Sequence, residues 1–68
     1  MKMHASITQD RIADAVRSEM FGMDNPGFCI YCGEDAEGVE PDAERYMCDV
    51  CDRPGVYGAE QLLLMTVA

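Results

Sequence analysis

Apolar side chains recur at every fourth position early in the chain, at Ile12, Val16 and Met20, with Ala13 beside them. Asp14, Arg17 and Ser18 fall on the other side. One apolar stripe at this period predicts an amphipathic helix. The residues upstream suit a helix start. Ser6 with Gln9 three positions on has the capping-box form, Thr8 is an equal N-cap candidate, and Asp10 favours the positive end of the helix dipole. Gly22 is a fitting stop, and Asn25-Pro26-Gly27 ends any helix firmly. The expected helix covers residues 6–22, behind a loose lead over residues 1–5.

Periodicity shortens after that. Gly38-Val39-Glu40-Pro41 predicts a brief strand stopped by Pro41, which cannot donate to a ladder. Arg45-Tyr46-Met47 predicts a second strand, with Tyr46 and Met47 on opposite faces. Val56-Tyr57 predicts a third. Residues 34–38, 42–44 and 53–55 read as turns or short loops. The tail favours a helix over residues 59–66 by composition, while its apolar run at residues 62–65 also suits a buried strand. The stripe of Ile12, Val16 and Met20 has two readings. It completes a thin core, or, with Phe21, Met23 and Phe28, it forms a contact surface for a partner or a second copy. Leu62, Leu63 and Leu64 need cover in the same way, from the first helix or from another chain. Six methionines add weight to a contact surface, since Met suits adaptable interfaces.

The candidate chemistry lies between the helices. All four cysteines fall in two pairs, Cys29-Ile30-Tyr31-Cys32 and Cys48-Asp49-Val50-Cys51, with 15 residues between the inner members. This spacing is that of a four-cysteine zinc site. Two cysteines three positions apart turn their sulfurs to one side of a tight loop, a knuckle. Two facing knuckles supply four thiolates at tetrahedral corners, an arrangement Zn²⁺ accepts. Gly33 follows the first pair, where a positive φ is often needed. Asp52 follows the second and tolerates that conformation better than most residues. One structural Zn²⁺ on Cys29, Cys32, Cys48 and Cys51 is the expected cofactor. Iron suits the same pattern. Disulfides are disfavoured, because residues 1–10 lack a signal-peptide layout and cytosolic thiols stay reduced. Redox pairs usually sit at a helix N-terminus, and neither pair here does.

Charge narrows the function. The chain has 68 residues, 13 acidic and 5 basic, for a net charge of −8. Four thiolates and one zinc lower this by a further two. Nucleic-acid binding draws on Lys and Arg neutralising phosphates, whereas Lys2, Arg11, Arg17, Arg45 and Arg53 are scattered among acids. No apolar run approaches the roughly 20 residues of a membrane span, and a cytoplasmic location is expected. A single domain over residues 1–68 is also expected, and at this size a metal serves as a staple.

The two knuckles resemble those of a zinc ribbon, a rubredoxin-like β-fold. The run at residues 38–48, with Val56-Tyr57-Gly58-Ala59-Glu60, is similar to small bacteriophage and bacterial zinc-ribbon proteins of no established activity. The resemblance implies a zinc on the four cysteines. Asp52 departs from the Gly common after the second pair, which bears on that knuckle's geometry rather than on the ligand count.

The expected fold is therefore a small metal-stabilised α+β unit. It has a ribbon of two knuckles and two or three short antiparallel strands over residues 28–58, flanked by the two helices. The expected function is a zinc-binding module acting through protein contacts. A nucleic-acid-binding ribbon accessory is the alternative, and a rubredoxin-like iron electron carrier is less favoured. An enzyme is not expected. His4 is the only histidine, no Ser-His-acid set exists, and Gly33, Gly38, Gly55 and Gly58 are too far apart for a phosphate loop.

Overall fold

The computed structural model describes residues 3–22 and 25–67. Met23 of the expected contact surface and Met1 and Lys2 of the lead lie outside them. The element order is α1 (Gln9–Phe21), β1 (Gly27–Cys29), β2 (Asp35–Ala36), β3 (Val56–Gly58) and α2 (Ala59–Val67). The architecture is α+β, two helices with a three-stranded antiparallel sheet, as expected. Among the described residues no helix is long and apolar enough to cross a membrane.

Helix α1 starts three residues later than expected. Thr8 is its N-cap, and its hydroxyl accepts from the Arg11 backbone N–H at 3.1 Å. Ser6 does not cap. Its Oγ lies 2.8 Å from His4 Nδ1 and 3.1 Å from an Arg11 guanidinium nitrogen. Ile7, just before the cap, and Ile12, four residues after it, share one core cluster, which is the pattern of a hydrophobic staple. The lead is not loose where it is described. Met3 packs on this cluster, and the His4 N–H donates to the Ile30 carbonyl at 2.7 Å.

The sheet order is β2-β1-β3. Its central strand, β1, begins at Gly27, which the sequence marks only as part of the stop after the first helix. A Cβ at Gly27 would stand 2.5 Å from the Tyr57 carbonyl oxygen and 2.6 Å from a Val39 methyl. Gly27 is thus present for close approach of β1 to its neighbours. The expected strand at residues 38–41 is absent. Gly38 has φ 70°, and the lateral bonds there go to a loop and a helix rather than to a strand, the Val39 N–H donating to the Asn25 carbonyl at 3.1 Å and the Pro41 carbonyl accepting from the Gln61 N–H at 3.0 Å. The expected strand at residues 45–47 shrinks to one bridge, Tyr46 with Val56. Arg45, at φ 55°, turns the backbone out of the extended region before a strand can form. Val56-Tyr57 is a strand, as expected.

Alternation along β1 and β3 gives the sheet two different faces. Phe28 opposes Tyr57, and Cys29 opposes Val56. Phe28 and Tyr57 join Ile7, Ile12, Ile30 and Leu62 in a core beneath the helices. Cys29 and Val56 join Val39, Ala43 and Cys48 in a second core on the other face. Helix α2 follows β3 directly, which resolves the tail as helix. Two of its N-terminal N–H groups, which have no partner within a helix, donate to the proline-turn carbonyls of Pro26 and Pro41 at 3.1 and 3.0 Å.

The two candidate contact stripes are largely used internally. Ile12 and Leu62 are fully buried, Val16 and Leu63 are partly buried on the same core, and Phe28 lies beneath it. Their covering comes from the chain itself, because α1 and α2 close over the Phe28–Tyr57 face. Met20 departs from its stripe and is 75% exposed, beside Phe21 at 84%.

Candidate metal centre

The two knuckles are built alike. In the first, the Gly33 N–H donates to the Cys29 carbonyl at 2.8 Å, and the Cys29 N–H to the Glu34 carbonyl at 3.0 Å. In the second, the Asp52 N–H donates to the Cys48 carbonyl at 3.0 Å, and the Cys48 N–H to the Arg53 carbonyl at 2.9 Å. The residue after each second cysteine is left-handed, Gly33 at φ 78° and Asp52 at φ 58°. Asp52 therefore supports the same knuckle geometry that Gly33 does.

The topology brings the pairs face to face. Cys29 ends β1, and Cys48 follows the Tyr46 bridge to β3. All four Sγ atoms lie within 4.8 Å of one another. Two separations that cross between knuckles are 3.6 Å for Cys29 with Cys51 and 3.7 Å for Cys32 with Cys48. Sulfurs at about 2.3 Å from a tetrahedral ion stand about 3.8 Å apart, so the set fits one such ion with small adjustments. None of the four is in a disulfide. Cys29 and Cys48 are buried, and Cys32 and Cys51 are half-buried.

The backbone around the sulfurs favours a thiolate at one corner. The Val50 N–H points at Cys48 Sγ from 3.4 Å. Backbone N–H groups of Cys51 and Val50 lower the Cys48 pKa to about 7, against the opposing effect of burial. Cys32 accepts from the Glu34 backbone, which lowers its pKa, but burial and the neighbouring thiols outweigh this and push it up to about 12. Burial likewise raises Cys51. Four thiols this close cannot all lose protons without a cation among them. A metal ion bound to the four would supply that positive charge and hold the two knuckles together.

Three supporting features were not read from the sequence. Arg53 lies over the Tyr31 ring at 5.5 Å, joining the second knuckle to the tip of the first. His4 and Ser6 close over Gly33, leaving no room for a Cβ there. Arg11 reaches from α1 to Asp35 of β2 at 2.7 Å and covers the Phe28 ring at 4.5 Å. Each is a single long-range pair with no periodic signal. His4 stands apart from the sulfur cluster, its ring engaged with Ser6.

No protein-family model matches this chain, and no curated protein or solved structure matches it significantly.

Proposed function

We propose that the chain is a zinc-ribbon module. One structural Zn²⁺ is held by Cys29, Cys32, Cys48 and Cys51, and the module acts through protein–protein contacts in a reducing, cytoplasmic setting. The observation that carries the reading is the convergence of four free sulfurs from two knuckles with matching hydrogen bonds. Four protein ligands close a tetrahedral site and leave no position for a reacting water, so the role is structural rather than catalytic. Contact surface remains after folding. Met20, Phe21 and Leu64 are exposed near the helices, and Tyr46, Met47 and Val50 near the second knuckle. Three of the four arginines are engaged within the chain. Arg11 and Arg17 pair with Asp35 and Asp14, and Arg53 lies on Tyr31.

Elemental analysis of the untagged protein, expressed with zinc and iron both available, tests the metal. The expected result is one zinc per chain, lost when Cys29 or Cys48 is changed to Ser. One iron per chain would move the reading to one-electron transfer. Ultracentrifugation and host-cell pull-downs test the contact role. A chain that neither self-associates nor captures a partner would remove its basis.

A further inference from the structure

The metal-bearing face of the sheet carries a cleft of about 390 Å³ between residues 34–37 and the second knuckle. That volume is at the low end of the range of about 300–1,000 Å³ for binding sites. Its floor is apolar, formed by Val39, Val56 and Ala36. Along one wall stand Tyr46, Met47 and Val50, all exposed despite their apolar character. The rim is acidic, with Glu34 and Glu37 on one side and Asp49 on the other. Asp35 also lines the cleft and is neutralised by Arg11.

Among the described residues, no Lys or Arg lines the cleft. Among the described residues, Glu34, Glu37 and Asp49 have no salt-bridge partner. An apolar floor inside a rim of unpaired carboxylates is complementary to an apolar side chain flanked by cations. Rim charges of this kind steer a partner and set its register more than they add affinity.

We infer that this cleft docks a short segment of a partner protein in which Lys or Arg flank a large apolar side chain. The inference rests on the contact role proposed above and gives it a location and a partner chemistry. The metal fixes one wall, since Met47 and Val50 flank Cys48. The carboxylates contribute through exposed charges, so binding weakens with salt over a Debye length of about 8 Å at physiological ionic strength.

The test uses metal-loaded full-length protein and two labelled decapeptides, one alternating Leu with Lys and the other Leu with Glu. Binding is followed by fluorescence anisotropy and mapped by amide chemical shifts. The Leu-Lys peptide is expected to bind at low salt, to weaken at least tenfold at high salt, and to shift Ala36, Val39, Met47 and Val50. The Leu-Glu peptide is expected not to bind. Glu37→Lys with Asp49→Lys is expected to weaken binding at least tenfold. Met47→Asp, which keeps the negative charge and spoils the apolar wall, is expected to do the same. Metal content of each variant is checked first, since exposed positions should leave it at one per chain. Absence of binding overturns the inference, and so does loss with charge reversal but not with Met47→Asp, which marks plain charge attraction. Shifts confined to Met20, Phe21 and Leu64 overturn the cleft but leave the contact role standing. A metal-free wild-type chain undoes the contact-module reading itself, whatever the peptides do.

Discussion

Gly33 and Asp52 occupy the same place in the two knuckles, yet they are not equally replaceable. Both are left-handed, and each donates its N–H to the carbonyl of its knuckle's first cysteine. Strain at such a position costs of order 1–3 kcal/mol for a residue with a Cβ. Asp bears it more lightly than most. Gly33→Ala adds this strain and a clash with the His4 and Ser6 side chains that close over it. A loss of about 1–3 kcal/mol in urea unfolding of the metal-loaded protein is expected. Asp52→Gly relieves the strain but loosens the unfolded chain, so its effect should stay within about 1 kcal/mol. No loss in Gly33→Ala would show that neither the left-handed backbone nor the His4–Ser6 cover has weight. The four-cysteine cluster was legible at this scale because two closely spaced pairs write it into the local sequence. The same holds for the need for a positive φ after each pair. The cover over Gly33 was not legible, because nothing in Met3-His4-Ala5-Ser6 signals what those residues will meet.

The helices meet through an unfavourable contact that constrains how they respond to pH. Glu19 of α1 faces Glu60 in the first turn of α2, and one Glu19 carboxylate oxygen is buried without a hydrogen-bond partner. Two ionised carboxylates cannot bond to each other, so a proton shared between them satisfies both. Glu60 sits at the positive end of its helix, and Glu19 near the negative end of its own. The Glu19 pKa is accordingly raised, by burial first and then by the hydrogen bond and charge of Glu60. A raised folded pKa means that its stabilising contribution is complete below the ordinary carboxyl value near 4.5 and is lost as pH rises through the folded value. Glu19→Gln should therefore stabilise the protein at pH 7 by about 0.5 kcal/mol, the scale of a like-charge helix pair. The gain should vanish as pH falls towards 4.5. Thermal melts of both forms across that range check it, and a pH-independent difference would assign the effect to packing. Elements with their own period were legible. Ile12 and Val16 declared α1, whereas α2 had only its composition in favour of helix, and its apolar run left a buried strand open. The strands were less so, because each is two or three residues long and is held by its partners. Gly27 looked like no more than a helix stop because its second role, letting β1 approach Tyr57, is tertiary. Arg45-Tyr46-Met47 looked like a strand because alternation does not reveal a left-handed residue.

At the scale of the whole molecule, the question is whether the helix-side core stands without the metal. A chain of 68 residues buries only about 60% of its unfolded surface and is marginal alone. The two cores are not independent. Phe28 and Cys29 are neighbours on β1, and Tyr57 and Val56 are neighbours on β3, so each strand serves both faces. Without the ion, the metal-side core retains Val39, Ala43 and Val56 around four thiols with no cation to hold them together. Apparent zinc binding in finger peptides amounts to about 10–16 kcal/mol at neutral pH, against a total stability of about 5–15 kcal/mol for whole domains. Losing a term of that size leaves no margin. Chelation under reducing conditions is therefore expected to remove the cooperative thermal transition and most of the helical circular dichroism together, with both returning when zinc is restored. Helix loss should accompany sheet loss, because α1 and α2 rest on the Phe28–Tyr57 pair, which the strands present only while Cys29 and Val56 are held on the opposite face. A chelated chain that kept its helical signal and melted cooperatively would show that Ile7, Ile12, Phe28, Tyr57 and Leu62 suffice. The ion would then shape only the knuckles and the cleft beside them.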